Sequence, residues 1–181
     1  MAGMPTPSPS AEAPLHVVVM GVAGCGKSLV GARLSGELGL PLIEGDDFHP
    51  PGNIEKMRHA VPLTDADRAE WLQRLAQELR HNPQGAVLTC SALKRAYRET
   101  LRGPVPQLRF VHLALTQHQA LERVASRTDH FYPPSLVASQ FEALEDPAGE
   151  PGVHTVDATW HIDRVLASAL AALRPPTFNN A

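Results

Sequence analysis

Apolar residues in this chain come in two rhythms. Short unbroken runs predict strands at Val17–Met20, Leu42–Glu44, Ala86–Cys90, Arg109–Leu113 and Val153–Val156. Between them lie longer stretches with helical spacing. Lys27–Leu38 is one, and Gly39 is suited to close it as a C-cap. Asp65–Arg80 is another. It follows Thr64, a good N-cap, with Asp67 three residues on as a capping-box partner. Leu72, Leu75, Ala76 and Leu79 fall at i, i+3, i+4 and i+7 and mark its buried face. Ile162, Val165, Leu166, Ala169, Leu170 and Leu173 repeat that pattern near the end of the chain. Alternation of strands with helices predicts an α/β fold of three layers, a five-stranded parallel sheet covered by helices on both faces. In such sheets ligands sit beyond the carboxyl ends of the strands.

The ends read differently. Residues 1–14, "MAGMPTPSPSAEAP", are rich in Pro, Ser and Ala and are expected to be a disordered leader. Residues 174–181 are expected to be a flexible tail, which leaves 15–173 as one domain, a size suited to the 181-residue chain. A hydrophobic content of 43% supports an ordinary core, and a formal charge of −3 without a basic run gives no case for nucleic acid. No apolar stretch reaches the roughly 20 residues of a membrane span, and no secretory signal is visible. Two cysteines, Cys25 and Cys90, suit a reduced, cytoplasmic protein.

Chemistry concentrates at "GVAGCGKS", Gly21–Ser28. Gly21, Gly26, Lys27 and Ser28 satisfy the phosphate-loop pattern, between an apolar strand and a helix. Val22, Ala23, Gly24 and Cys25 fill the loop, and its backbone amides turn toward phosphate oxygens. Lys27 bridges β- and γ-phosphates, Ser28 offers its hydroxyl to Mg²⁺, and Cys25 reads as a small residue rather than a nucleophile. Asn-Lys-x-Asp, the guanine signature of GTPase switches, is absent, and the third strand does not end in the acid typical of motor ATPases.

Acids follow the second strand instead, in "EGDDFH" (Glu44–His49). Asp46 or Asp47 is placed to take a proton from a substrate hydroxyl and to order Mg²⁺ water, or else the pair caps the next turn. In "CSALKRAYR", Lys94 and Arg98 are four apart, which on a helix gives one cationic face, toward an anionic acceptor or toward solvent. Arg123 and Arg127 precede a turn-prone "TDHFYPP" and a new helix from about Ser135. That is either a lid over about 123–140 that excludes water, or a plain helical hairpin.

The strings "GDDFHPPGNIEKM", "PLTDADRAEWL", "CSALKRAYR" and "HFYPPSLVASQFEALEDP" together resemble the small P-loop gluconokinases. These are relatives of shikimate kinases within the nucleoside-monophosphate-kinase-like P-loop fold with a helical lid. The resemblance covers about residues 15–172. It implies ATP and Mg²⁺ as cofactors and D-gluconate as the acceptor. It assigns catalysis to Lys27, Asp46 and Arg127, with Asp46 ahead of Asp47. It gives nucleotide contact to Gly21–Ser28, Arg123 and Arg127, and metal contact to Ser28 and Asp46. Substrate contact falls to Asp46, His49, Lys56, Lys94, Arg98 and His130. It also implies a homodimer, as family members often dimerise. Adenine contacts are expected on the lid-side helix and at Asp157–Thr159. Departures are Asp129 before the lid His, Tyr132 after Phe131, and Arg58 and His59. Kinases for shikimate or adenylylsulfate, and a nucleotide-dependent regulatory module, are the rival readings.

Overall fold

The computed structural model of the chain describes residues 13–128 and 132–174. Its strands are β1 (Leu15–Met20), β2 (Leu42–Glu44), β3 (Gly85–Thr89), β4 (Arg109–Ala114) and β5 (Val153–Asp157). They form one parallel sheet in the order β2-β3-β1-β4-β5. Successive side chains of a strand point to opposite faces, yet Val17, Val18, Val19 and Met20 all have 0% exposure. Both faces of the central strand are therefore covered, which is why its sequence is apolar without alternation.

The helices are α1 (Lys27–Leu38), α2 (Pro51–Arg58), α3 (Asp65–His81), α4 (Arg95–Arg102), α5 (Gln117–Ser126), α6 (Ser135–Ala143) and α7 (Ile162–Leu173). α1 packs on β1, β2 and β3 and against α7, while α3 packs against α4 and β3. Gly39 ends α1 with a positive φ of 64°. Thr64 and Asp67 form the expected reciprocal cap of α3, at 3.2 and 2.8 Å. α2 is a helix that the apolar pattern does not announce. It is short, polar and started by Pro51 at its first position. α5 and α6 pack against each other. Among the described residues, no helix is long and apolar enough to cross a membrane.

Parallel order puts the carboxyl ends of all five strands on one rim. Register fixes the heights there: Val19 and Glu44 both lie opposite Thr89. The phosphate loop, Glu44 and the segment after β3 thus meet at one level. Gly45 follows Glu44 directly. A Cβ on it would lie 2.0 Å from the Thr89 carbonyl oxygen, so only glycine lets the chain leave β2 this close to β3.

Candidate active site

The loop Gly21–Ser28 leaves β1 and enters α1. Gly21, Gly24 and Gly26 all have positive φ, the backbone that glycine adopts without a Cβ penalty. Cys25 is buried and sits against Gly21, a packing position. Lys27 Nζ donates to the carbonyls of Gly21 and Val22 at 3.0 and 3.1 Å, so its ammonium lies over the loop. Two neighbours brace the loop. Gln140 on α6 accepts from the Ala23 amide at 2.6 Å. Arg123 on α5 donates to Gly24 O at 3.4 Å and to Ala158 O at 2.7 Å, tying the loop to the segment after β5. That segment carries Trp160, with the Arg164 guanidinium 3.6 Å from its ring centre. Arg127, at the C-cap of α5, is exposed.

Ser28 Oγ donates to Glu44 Oε2 at 3.1 Å. Thr89 Oγ1 donates to the same oxygen at 2.6 Å and accepts from the Gly45 amide at 3.2 Å. Glu44 is a functional candidate that the sequence reading passes over. The signal available was an acid closing an apolar strand, at β2 rather than β3. Ser28 and Glu44, a hydroxyl and a carboxylate 3.1 Å apart, are oxygen donors suited to Mg²⁺, which takes few protein ligands and leaves positions for phosphate oxygens, and Asp46 follows Glu44 by two residues. Among the described residues no cluster of three or more His, Cys, Asp and Glu offers a denser cage.

The acceptor side starts at Asp46, whose side chain is 86% exposed. His49 Nε2 lies 3.9 Å from its Oδ1. His49 itself is buried and stacked on Trp71, 4.1 Å between ring centres at 14°. Trp71 covers one face of the ring, so His49 supports the acid-bearing turn from beneath, where the sequence reading expects a substrate contact. Lys56 is held by Asp67 at 2.7 and 2.8 Å. Together with the Thr64 amide, Lys56 lowers the Asp67 carboxyl to about 2. Lys94 is the N-cap of α4, with extended backbone. It donates to Asp65 at 2.8 and 3.1 Å, and Tyr97 donates to the same carboxylate. Hydrogen bonds from Lys94 and then Tyr97 lower the Asp65 pKa, and the Lys94 pKa rises in return.

Arg98 departs from the sequence reading. The helix begins after Lys94, so the two cations do not share a helical face. Arg98 has 0% side-chain exposure. Its Nε and Nη2 donate to the Glu150 carboxylate, Nη2 also to Glu145 O, and Nη1 to Ala92 O and Leu93 O. All five donors of a guanidinium are thereby engaged. Arg98 is a structural cation and is withdrawn from the substrate contacts.

Arg68 is another buried cation, one that the sequence reading does not single out. It is 9% exposed and donates to Leu63 O at 2.6 Å and to Tyr97 Oη at 3.5 Å. Lys94 and Arg68 both approach the Tyr97 ring, at 5.8 and 5.6 Å. The sequence did carry a signal: Arg68 precedes Leu72 by four and Leu75 by seven, which sets a charge on the apolar stripe of α3. Cys90 is fully buried just past β3, and burial pushes its thiol up to about 12. Burial likewise raises the Tyr132 phenol to about 12, with Arg68 and Asp46 acting in opposite senses. His130, Phe131 and Asp129 lie outside the described residues.

A family model described as an AAA domain matches residues 17–151. The gluconokinase of Gluconobacter oxydans (strain 621H) is 47% identical over 156 residues, 84% of this chain and 88% of that one. The thermosensitive gluconokinase of Escherichia coli (strain K12) is 40% identical over 160 residues, 86% of each chain. Among solved structures, a gluconokinase from Sinorhizobium meliloti 1021 superposes with a TM-score of 0.83 at 45% identity, covering 88% of this chain and 91% of that one.

Proposed function

This chain belongs to the gluconokinase family, and from that premise we propose that it transfers the γ-phosphoryl group of MgATP to the primary hydroxyl of D-gluconate, giving 6-phospho-D-gluconate. The observation that carries the reading is the phosphate loop at the carboxyl end of β1, with Lys27 over its carbonyls and Ser28 donating to Glu44 at the end of β2, directly before the turn that bears Asp46. One rim holds a phosphate loop, a carboxylate able to accept a proton and a buried cation able to hold an acid group.

The loop Gly21–Ser28 binds the triphosphate through its amides, with Lys27 swinging from its own carbonyls onto the β- and γ-phosphates. Asp46 takes the proton of the attacking hydroxyl, so that the oxygen attacks the γ-phosphorus as the bond to ADP breaks. Arg68, together with Lys94, holds the carboxylate of the acid; a guanidinium suits that geometry. Arg127 neutralises charge on the transferring group. Ser28, Glu44 and Asp46 would hold Mg²⁺, which would supply charge neutralisation of the phosphates. The enzyme works in the cytoplasm as a homodimer in this reading, and light scattering after gel filtration tests the dimer.

The test is an assay coupling ADP release to acceptor. Gluconate should support turnover; shikimate and adenylylsulfate should not. Asp46→Asn should lower kcat by at least about tenfold with nucleotide binding near normal. Phosphorylation of shikimate but not gluconate, or full turnover by Asp46→Asn, refutes the respective part.

A further inference from the structure

The run from Asp46 to Asp67 contains a series of polar contacts. Lys56 Nζ grips the Asp67 carboxylate. The Asp67 backbone carbonyl accepts from Asn53 Nδ2 at 2.9 Å. The same nitrogen lies 3.3 Å from His49 Nδ1, and His49 Nε2 lies 3.9 Å from Asp46 Oδ1. Asn53 and His49 are both buried, at 5% and 9% exposure.

Donor logic fixes the proton on the ring. An amide nitrogen only donates, and its bond to a carbonyl oxygen identifies this atom as Nδ2 rather than Oδ1. Its second hydrogen then goes to His49 Nδ1, which must accept. In a neutral imidazole the remaining nitrogen carries the proton, so Nε2–H faces Asp46. The ring plane is fixed as well. His49 stacks on Trp71, and Trp71 Nε1 donates to Gly45 O at 2.7 Å. Gly45 in turn abuts Thr89. The turn bearing Asp46 is thereby anchored on both sides, while the Asp46 carboxylate projects into solvent.

We propose that His49 is a positioning residue for phosphoryl transfer: its Nε2–H, in the tautomer imposed by Asn53, orients the Asp46 carboxylate toward the acceptor hydroxyl. The inference rests on Asp46 as the acceptor base. At 3.9 Å the contact is longer than a hydrogen bond, a gap that rotation of the exposed Asp46 side chain closes once the acceptor is bound. A carboxylate left free to rotate samples unproductive geometries, and misplacement by about 1 Å can cost about a hundredfold in rate.

Four variants test it, each checked for thermal stability and assayed with ATP and gluconate. His49→Leu removes the donor and should lower kcat at least about tenfold, with KM for ATP within about twofold of wild type. His49→Gln places an amide N–H near Nε2 and should restore turnover to within about threefold of wild type. Asn53→Leu removes the donor that keeps Nδ1 unprotonated, lets the ring carry its proton on either nitrogen, and should lower kcat, by less than His49→Leu does. In the His49→Gln background, where no tautomer exists, Asn53→Leu should have little further effect. Equal losses in His49→Leu and His49→Gln, or wild-type turnover by Asn53→Leu, overturn the proposal. Should His49→Leu fail to fold, the Asn53→Leu comparison in the two backgrounds decides it. Full turnover by Asp46→Asn instead sinks the underlying base assignment. A deficient Asp46→Asn beside an unaffected His49→Leu removes only the positioning role.

Discussion

Replacing Arg98 separates a structural cation from a substrate contact. Arg98→Met keeps the apolar stem and removes the guanidinium. Three carbonyls, Ala92, Leu93 and Glu145, lose the guanidinium, and of these Leu93 O keeps the Glu145 amide at 2.8 Å. Glu150, with a side chain only 11% exposed, loses its principal partner. Breaking a buried pair from one side costs about 3–5 kcal/mol. Arg102 remains 3.4 Å from Glu150 and softens the loss, so the lower part of that range, about 3–4 kcal/mol, applies. Total stability of a domain is about 5–15 kcal/mol, so the variant folds with a reduced margin. At about 2–4 °C per kcal/mol for this size, Tm should fall by about 6–16 °C. Thermal unfolding followed by circular dichroism reads the shift, and KM for gluconate, measured well below the new Tm, should stay near wild type. The double variant Arg98→Met/Glu150→Leu should recover part of the loss, because no unpaired carboxylate stays buried. The sign with pH follows from Glu150. Hydrogen bonds from Arg98 lower its pKa, so its contribution is complete above the ordinary glutamate value of about 4.3 and fades as pH falls through the folded value. Wild-type Tm should therefore drop more steeply below that pH than the double variant's. A Tm within about 2 °C of wild type, combined with a tenfold rise in KM for gluconate, would refute the structural assignment.

Other outcomes follow from the same geometry. Arg68→Met should raise KM for gluconate by roughly 10–100-fold and leave KM for ATP unchanged, since a hydrogen bond to a charged group contributes about 1.5–3 kcal/mol; steady-state kinetics on both substrates checks it. Gly45→Ala places a Cβ 2.0 Å from the Thr89 oxygen and should lower both Tm and kcat. Gly36→Ala, in open space on α1, should raise stability by about 0.5–1 kcal/mol in denaturant titration. The Cys90 thiol, pushed up to about 12, should stay unreactive toward a disulfide reagent at pH 8 until the protein is unfolded.

Local pattern carried the elements well, because the signals that make them are local. An uninterrupted apolar run marks β1, Gly39 marks the end of α1, and Thr64 marks the start of α3. The phosphate loop was equally legible, since its chemistry lies in eight consecutive residues. Partner choice was not. Arg98 and Glu150 are 52 residues apart, and nothing near Arg98 tells that its charge turns inward. Glu44 acquires its meaning from Thr89 across the sheet, 45 residues away. Arg68 stood between these cases: its helical phase declared it buried, but its company of Tyr97, Lys94 and Asp65 depended on α3 meeting α4. His49 was singled out by its string, yet its part follows from Trp71 lying beneath it.

The stack of His49 on Trp71 also gives the molecule a built-in optical gauge. The chain has two tryptophans, Trp71 and Trp160, and they stand on different sides of the rim. One lies under the acid-bearing turn, and the other lies beside Arg164 after β5. With Trp160→Phe, all remaining indole emission arises from beneath Asp46. Loading of the sugar acid should then shift that emission, a change that a fluorescence titration reads without a label and without waiting for product.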